Sequence, residues 1–388
     1  MRIAMMVRGY MTTPKPKDIV YAPIDLAAYI ADGLAKRGHT VHFYGPKGTK
    51  LHTRVITLGL DPIVNNIDEF HQFLSRPDLM SHYIPGSWDS YLAAEMFQRA
   101  KKRQYDLIYF VHPEVALPFS RFFPRVPIAF TLHDPIYHWY RNIFKMFKTA
   151  NQYFISITNN QRRPMPNLNF AGTVYNGIDT DKFPFSAKGG KNLLFVGRIT
   201  PEKGLKEAIE AAKLTNSNLD IIGPNYPDKM DYFNQYVKPH LGKQIRYLGF
   251  IEREKLSKYY RNSKALLAPI QWDEPFGMTF VEAMASGTPV IAFKRGSAPE
   301  VIINSKTGYL VKNVDEMANA IKKIDFIDRK ACRDHVEENF TVDRMVDGYE
   351  AVFASIIKAH RKIKIKSFIR PRLSNLQRVL IPEKRSSR

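Results

Sequence analysis

A single cysteine, Cys332, stands in a chain of 388 residues. One thiol cannot form an intrachain bridge, so a disulfide-stapled fold is excluded, and the usage suits a reducing compartment. Long apolar runs are missing too: nothing approaches the roughly 18–20 residues that cross a bilayer as a helix. The opening stretch MRIAMMVRGY is broken by Arg2 and Arg8 before an apolar segment of signal-peptide length can form. The expectation is a cytoplasmic protein, soluble or peripheral at the inner face of a membrane. No Cys or His cluster has metal-ligand spacing. Neither a Walker loop nor G-x-G-x-x-G occurs, so nucleoside triphosphatases and nicotinamide enzymes lose their usual phosphate cradle.

Hydrophobic residues make up 44% and charged ones 24%, ordinary for a soluble globular chain of two or three domains. The charge is lopsided. There are 58 Lys plus Arg against 37 Asp plus Glu, a formal +21, which calls for an anionic partner without specifying a fold. Counted along the chain, residues 1–183 hold 22 basic and 14 acidic side chains (22 − 14 = +8), and residues 184–357 hold 25 and 22 (+3). The last segment, 358–388, holds 11 and one (+10). A basic nucleic-acid-binding protein is one reading of that surplus. It is disfavoured because no RRM-type aromatic and basic motif and no helix-turn-helix is recognisable.

Short apolar runs alternate with amphipathic segments in both halves, the signature of parallel βαβ units. Strands are expected at Arg2–Val7, Thr40–Tyr44, Asp106–Val111 and Pro127–Leu132, with a helix at 24–37 ended by Gly38. The pattern restarts after the polar stretch 186–192. Strands are expected there at 193–196, 219–222, 245–248, 265–269 and 289–293, and helices at 201–213, 253–262, 277–286 and 314–324. Two α/β domains, 1–185 and 186–340, would leave a cleft at the carboxyl ends of their strands, where such sheets bind ligands. From Thr341, a cap by residue type, Met345, Val346, Tyr349, Val352, Phe353, Ile356 and Ile357 recur three or four apart and predict a helix over 341–357, followed by a basic tail, 358–388.

The segment Trp272–Gly287, WDEPFGMTFVEAMASG, combines a tight turn with a helix start. The first amides of such a helix lack internal partners and carry partial positive charge, offering a phosphate site at Gly277, Met278 and Thr279. Glu274 before the helix is also what the helix dipole alone would favour. Glu282 lies among apolar residues, where a carboxylate needs a partner. In LLFVGRITPEKGL, Arg198 and Lys203 flank a strand-to-helix turn with Thr200 placed as cap. They can hold one anion together, or be two solvated surface cations. In IAFTLHD, His133 ends a strand at the ligand-binding edge, as a catalytic group or a loop-capping hydrogen bonder. His112, Glu114 and His138 are weaker candidates.

Together these segments resemble the retaining glycosyltransferases of family 4, whose B-type fold is two facing Rossmann-like domains. The matching residues are YNGID at 175–179, FVGRITPEKG at 195–204, LDIIGP at 219–224, YLGFI at 247–251, EPFGMTFVEAMASGTPVIA at 274–292, PEVI at 299–302 and TGYLV at 307–311. The resemblance implies an enzyme moving a sugar from a UDP- or GDP-sugar to an unidentified acceptor, a membrane lipid or glycan being one possibility. It implies that Arg198, Lys203 and the amides of Gly277, Met278 and Thr279 bind the donor diphosphate and that Glu282 accepts from the ribose. Glu274 and His133 would act at the transferred sugar, and no metal cofactor is expected. The C-terminal helix would cross back onto the first domain. Two departures are visible: RGYMTTPKPKDIVYAPID replaces the usual Gly-Gly loop, and GSAPEV replaces the commoner Gly-Gly before Pro-Glu. An epimerase or phosphorylase on the same fold is the alternative.

Overall fold

The computed structural model describes residues 1–388 except 18, 76–82, 227–228 and 380–388. In the first half β1 (Arg2–Met6), β2 (Thr40–Tyr44), β3 (Arg54–Ile56), β4 (Leu107–Phe110), β5 (Ile128–Leu132), β6 (Gln152–Ser156) and β7 (Phe170–Thr173) form one sheet ordered β3-β2-β1-β4-β5-β6-β7. In the second, β8 (Leu193–Val196), β9 (Leu219–Ile222), β10 (Ile245–Tyr247), β11 (Ala265–Ala268), β12 (Val290–Phe293) and β13 (Gly308–Val311) are ordered β10-β9-β8-β11-β12-β13. All the pairings are parallel. Helices cover both faces, so central strands such as β5, Ile-Ala-Phe-Thr-Leu, are buried throughout and show no alternation of apolar and polar residues.

Strand order reverses between β1 and β4 in the first sheet and between β8 and β11 in the second. At such switch points neighbouring connections leave the sheet in opposite directions and open a crevice at the strands' carboxyl ends. The loops after β1, β4 and β5 carry Arg8, His112 and His133. Those after β8 and β11 carry Arg198, Lys203 and Glu274.

Val174 belongs to a core of the first half, whereas Ile178 and Phe183 are buried in that of the second. The chain therefore passes between the cores at 174–178, before the boundary at 185 read from sequence. It returns at Phe340–Val342 beside the same crossing: Ile178 N donates to Phe340 O at 2.9 Å and Val342 N to Ile178 O at 3.1 Å. A Cβ on Gly177 would stand 2.3 Å from Thr341 O, so only glycine lets the two crossings lie this close.

The C-terminal helix packs where the apolar spacing put it. Met345, Val346, Tyr349, Phe353, Ile356 and Ile357 are buried against the first sheet, Thr341 Oγ1 accepts from Arg344 N at 3.2 Å, and Arg37 and His39 hold Glu350. One expectation is corrected: the helix does not end at Ile357 but runs Val342–Val379. No Gly or Pro follows Ile357 until Pro371, so nothing in the backbone stops it there. The final part of the basic tail, 380–388, lies outside the described residues.

Candidate active site

The second half supplies one wall. Helix Met278–Ala285 starts from Gly277, whose φ of 85° only glycine adopts without strain. The preceding loop is fastened on three sides. Thr158 Oγ1 donates to Pro275 O at 2.9 Å, Ser297 Oγ to Phe276 O at 2.7 Å, and Ser297 N to Glu274 O at 2.9 Å. Loop and helix start are thus held before any ligand arrives, and the first amides point off the end of the helix.

Glu274 Oε2 accepts from Lys203 Nζ at 2.5 Å and from Trp272 Nε1 at 3.0 Å, with the Lys203 ammonium 5.3 Å from the Trp272 ring centroid. Glu282, buried as its neighbours implied, has both oxygens engaged. Arg253 Nη2 lies 2.7 Å from Oε1, and Tyr260 OH donates to Oε2 at 3.0 Å. Arg253 also reaches Asp25 of the first half at 3.2 Å, and Lys15 sits 2.6 Å from the same Asp25 oxygen. A chain of alternating charges therefore runs across the cleft into Glu282.

The expected placement of Lys203 in the first turn of a helix capped by Thr200 is corrected. Pro201–Lys203 is a single 3₁₀ turn, and the α-helix Leu205–Leu214 begins only after Gly204, whose φ is 75°. A Cβ on Gly204 would come within 1.9 Å of Pro269 O, so the loops after β8 and β11 press together and break the helix there. Thr200 Oγ1 makes no cap and is buried without a partner. Lys203 is thereby turned towards Glu274, while Arg198 pairs loosely with Glu202 at 3.7 Å. The two cations do not meet on one group of the chain.

The first half supplies the opposite wall. His133 follows β5 and lines a small pocket with His112, Glu114, Asp134 and Tyr140. Burial pushes its imidazole down to about 4, so it is neutral at physiological pH and can donate one hydrogen bond and accept another. Behind it lies a cluster that reading the sequence did not find. Arg8 Nη1 meets Asp89 at 2.9 Å, Arg8 Nη2 meets Glu114 Oε1 at 3.0 Å, and Gly9 N donates to Asp89 Oδ1 at 2.6 Å. Tyr21 OH lies 2.5 Å from His112 Nε2, and burial beside Arg8 holds His112 well below its ordinary range. Tyr21 thus fills the loop that departs from the usual Gly-Gly. Arg8 was visible as a cation directly after the first strand, but nothing near Asp89, Arg253 or Tyr260 signalled their roles. His138 starts a surface helix away from this pocket's lining.

Between the walls is a cleft of about 660 Å³, lined by Asp134–Tyr137, Asn160 and Gln161 on one side and Arg198, Glu202, Trp272, Asp273 and Pro275 on the other. Two parallel Rossmann-like sheets with a cleft between the loops that follow their strands are the architecture of the B-type glycosyltransferases. The comparisons agree. The model of glycosyl transferases group 1 matches residues 178–339, and that of glycosyltransferase family 4 matches residues 26–182. The chain belongs to this family of enzymes.

An uncharacterized glycosyltransferase of Methanocaldococcus jannaschii is 25% identical over 84% of this chain and 89% of its own. The N-acetyl-alpha-D-glucosaminyl L-malate synthase of Bacillus anthracis is 24% identical over 86% and 93%. A Klebsiella pneumoniae protein of a cps region is 31% identical, but the chain spans less than half of it, 46%. Among solved structures, the sucrose-phosphate synthase of Thermosynechococcus elongatus superposes with a TM-score of 0.69 at 17% identity over 94% of this chain and all of that one. Anabaena HepE in complex with UDP and glucose does so with 0.67 at 18% over 92% and all of that chain. At these identities the superpositions speak for the fold.

Proposed function

We propose that the chain transfers a hexose from a nucleoside diphosphate sugar, UDP-linked in the first instance, to an acceptor hydroxyl with retention of configuration. The observation that carries this is the cleft between the two halves, lined by Arg198, Trp272, Asp273 and Pro275, next in the chain to the Lys203–Glu274 pair and to the helix start at Gly277, Met278 and Thr279. The amides and two cations suit a departing diphosphate. They stabilise negative charge that grows as the glycosidic bond breaks, which lowers the barrier more than it tightens ground-state binding. A donor set of this kind supplies the charge that a divalent ion supplies elsewhere, so the proposed reaction is metal-independent.

Glu282 takes the ribose hydroxyls, with Arg253 giving way at Oε1. Glu274, held by Lys203 and Trp272, faces the transferred sugar near its anomeric carbon. Neutral His133 meets a sugar hydroxyl from the first half. The UDP in the HepE structure supports the choice of nucleotide. The acceptor enters from the first half, past Glu114 and Tyr140. Among the described residues no helix is long and apolar enough to cross a membrane, and the charge surplus supports peripheral attachment at an inner membrane face. Calorimetry and thermal shift with UDP, GDP and their glucose and mannose esters test the proposal, followed by product analysis with labelled donor. Binding of one nucleotide and transfer with retained anomeric configuration is expected; no heat and no shift with any of them would sink it.

A further inference from the structure

From Val115 to Ile178 the chain carries seven Lys or Arg and one acid, Asp134. Two of the seven, Arg162 and Arg163, lie in the turn after β6. The other five, Arg121, Arg125, Arg141, Lys145 and Lys148, are all exposed, in two segments that side-chain hydrogen bonds hold next to each other. Asn151 Nδ2 donates to the carbonyls of Ser120, Phe123 and Val126 at 3.0–3.2 Å. Gln152 Nε2 donates to Ser120 Oγ at 2.6 Å and to Phe147 O at 2.7 Å. These bonds fix the turn at 121–125 beside the end of helix His138–Met146.

That helix is seated by little. Phe144 is its one buried residue, with Tyr140 and Ile143 partly covered. Around the rest of its surface Trp139 and Met146, two turns apart, form an apolar stripe 49% and 66% exposed. Arg141 and Lys145, four apart, form a cationic one. Phe122 is 77% exposed in the neighbouring turn, and Tyr137 stacks on Trp139 with centroids 4.7 Å apart while lining the cleft.

We propose that this face, made by Phe122, Tyr137, Trp139 and Met146 among five cations, docks on the surface of an anionic bilayer with the mouth of the cleft turned to the headgroups. Amphipathic aromatic rings settle at the headgroup level, and basic side chains beside them are drawn to anionic lipid. Such a surface is distinct from the C-terminal tail, to which the charge count alone would point. A nucleic acid fits less well: Tyr137 and Trp139 spend ring faces on each other, and Phe122 and Met146 offer nothing to a phosphate or a base edge. Resting on the transfer reading, the consequence is an acceptor whose hydroxyl is presented on a lipid anchor at the bilayer surface.

Co-sedimentation of the full chain with vesicles of phosphatidylcholine alone and with about 30 mol% phosphatidylglycerol tests this. Binding to the anionic vesicles is expected, falling at least about tenfold in Arg141→Glu/Lys145→Glu/Lys148→Glu and also in Trp139→Ser/Met146→Ser, because charge and insertion act together. Lys364→Glu/Lys366→Glu in the tail should leave it in place. UDP-dependent thermal shifts, unchanged in the patch variants, would show that they fold. Absence of vesicle binding by the wild-type chain overturns the proposal, as does binding lost only with the tail variant, or a patch that retains RNA and not vesicles. Patch-dependent vesicle binding without any UDP response would uphold the docking face and overturn the transfer reading instead.

Discussion

Lys203 and Glu274, 71 residues apart in sequence, meet with Nζ and Oε2 2.5 Å from each other, so the cation assigned to the diphosphate and the acid assigned to the sugar neutralise one another before donor binds. Their separation predicts a split phenotype. Lys203→Ala should weaken UDP binding about 10- to 100-fold, the range for losing a charge-assisted hydrogen bond. Glu274→Ala frees the ammonium, so UDP should bind at least as well while turnover falls about 100-fold or more. Calorimetry beside a transfer assay checks both. Equal loss of UDP affinity in the two variants would reduce Glu274 to a loop anchor.

Arg253 occupies one Glu282 oxygen and Asp25 of the opposite half at once. Removing it opens Oε1 to the ribose and takes away one of the ties between the halves, beside that of Thr158 to Pro275. Arg253→Ala should bind UDP no more weakly than wild type and show a larger radius of gyration by small-angle scattering. Glu282→Ala should weaken UDP about tenfold. Tyr260→Phe leaves a buried carboxylate oxygen without its donor, at a cost of about 1–3 kcal/mol in chemical denaturation.

The pH dependence of stability carries a mark of His133. Its folded value of about 4 lies below the ordinary 6.5, so between those pH values the unfolded chain binds a proton that the folded chain refuses. Stability present above pH 6.5 is therefore lost as pH falls towards 4. His133→Gln should flatten the slope of unfolding free energy in that window and leave it unchanged above pH 7. His112, His42 and His335 are shifted the same way, so the slope should shrink rather than vanish. Identical slopes would place the imidazole in open solvent.

Gly277 has a φ of 85°, and a Cβ there would stand 2.4 Å from the Phe280 ring. Gly277→Ala should cost about 1–3 kcal/mol in backbone strain, displace the helix start and weaken UDP binding. A variant as stable as wild type and with full UDP affinity would remove the helix amides from the donor site.

The fold was largely legible because parallel strands buried on both faces are written as local runs, and because Gly204 and Gly177 mark places where backbone meets backbone. Even so, β3, β6, β7 and β13 carry no such mark, being short strands in segments with polar or glycine residues. The candidate site of the second half was legible because WDEPFG and GRITPEKG each put their charged and turn-forming residues within a dozen positions.

Local order along the chain, then, determined which residues end strands, which begin helices and which helix face is apolar. Only the tertiary structure decided who meets whom. It turned Lys203 to Glu274 through the break at Gly204, brought Arg253 from another helix to Glu282 and on to Asp25, and buried Arg8 against Asp89, 81 residues away. It also set the turn that carries Arg121, Phe122 and Arg125 beside the end of the helix His138–Met146. These pairings depend on the packing of sheets and loops far apart in sequence, which is why nothing within a helical turn of Glu274 or Glu282 names Lys203 or Arg253 as its partner.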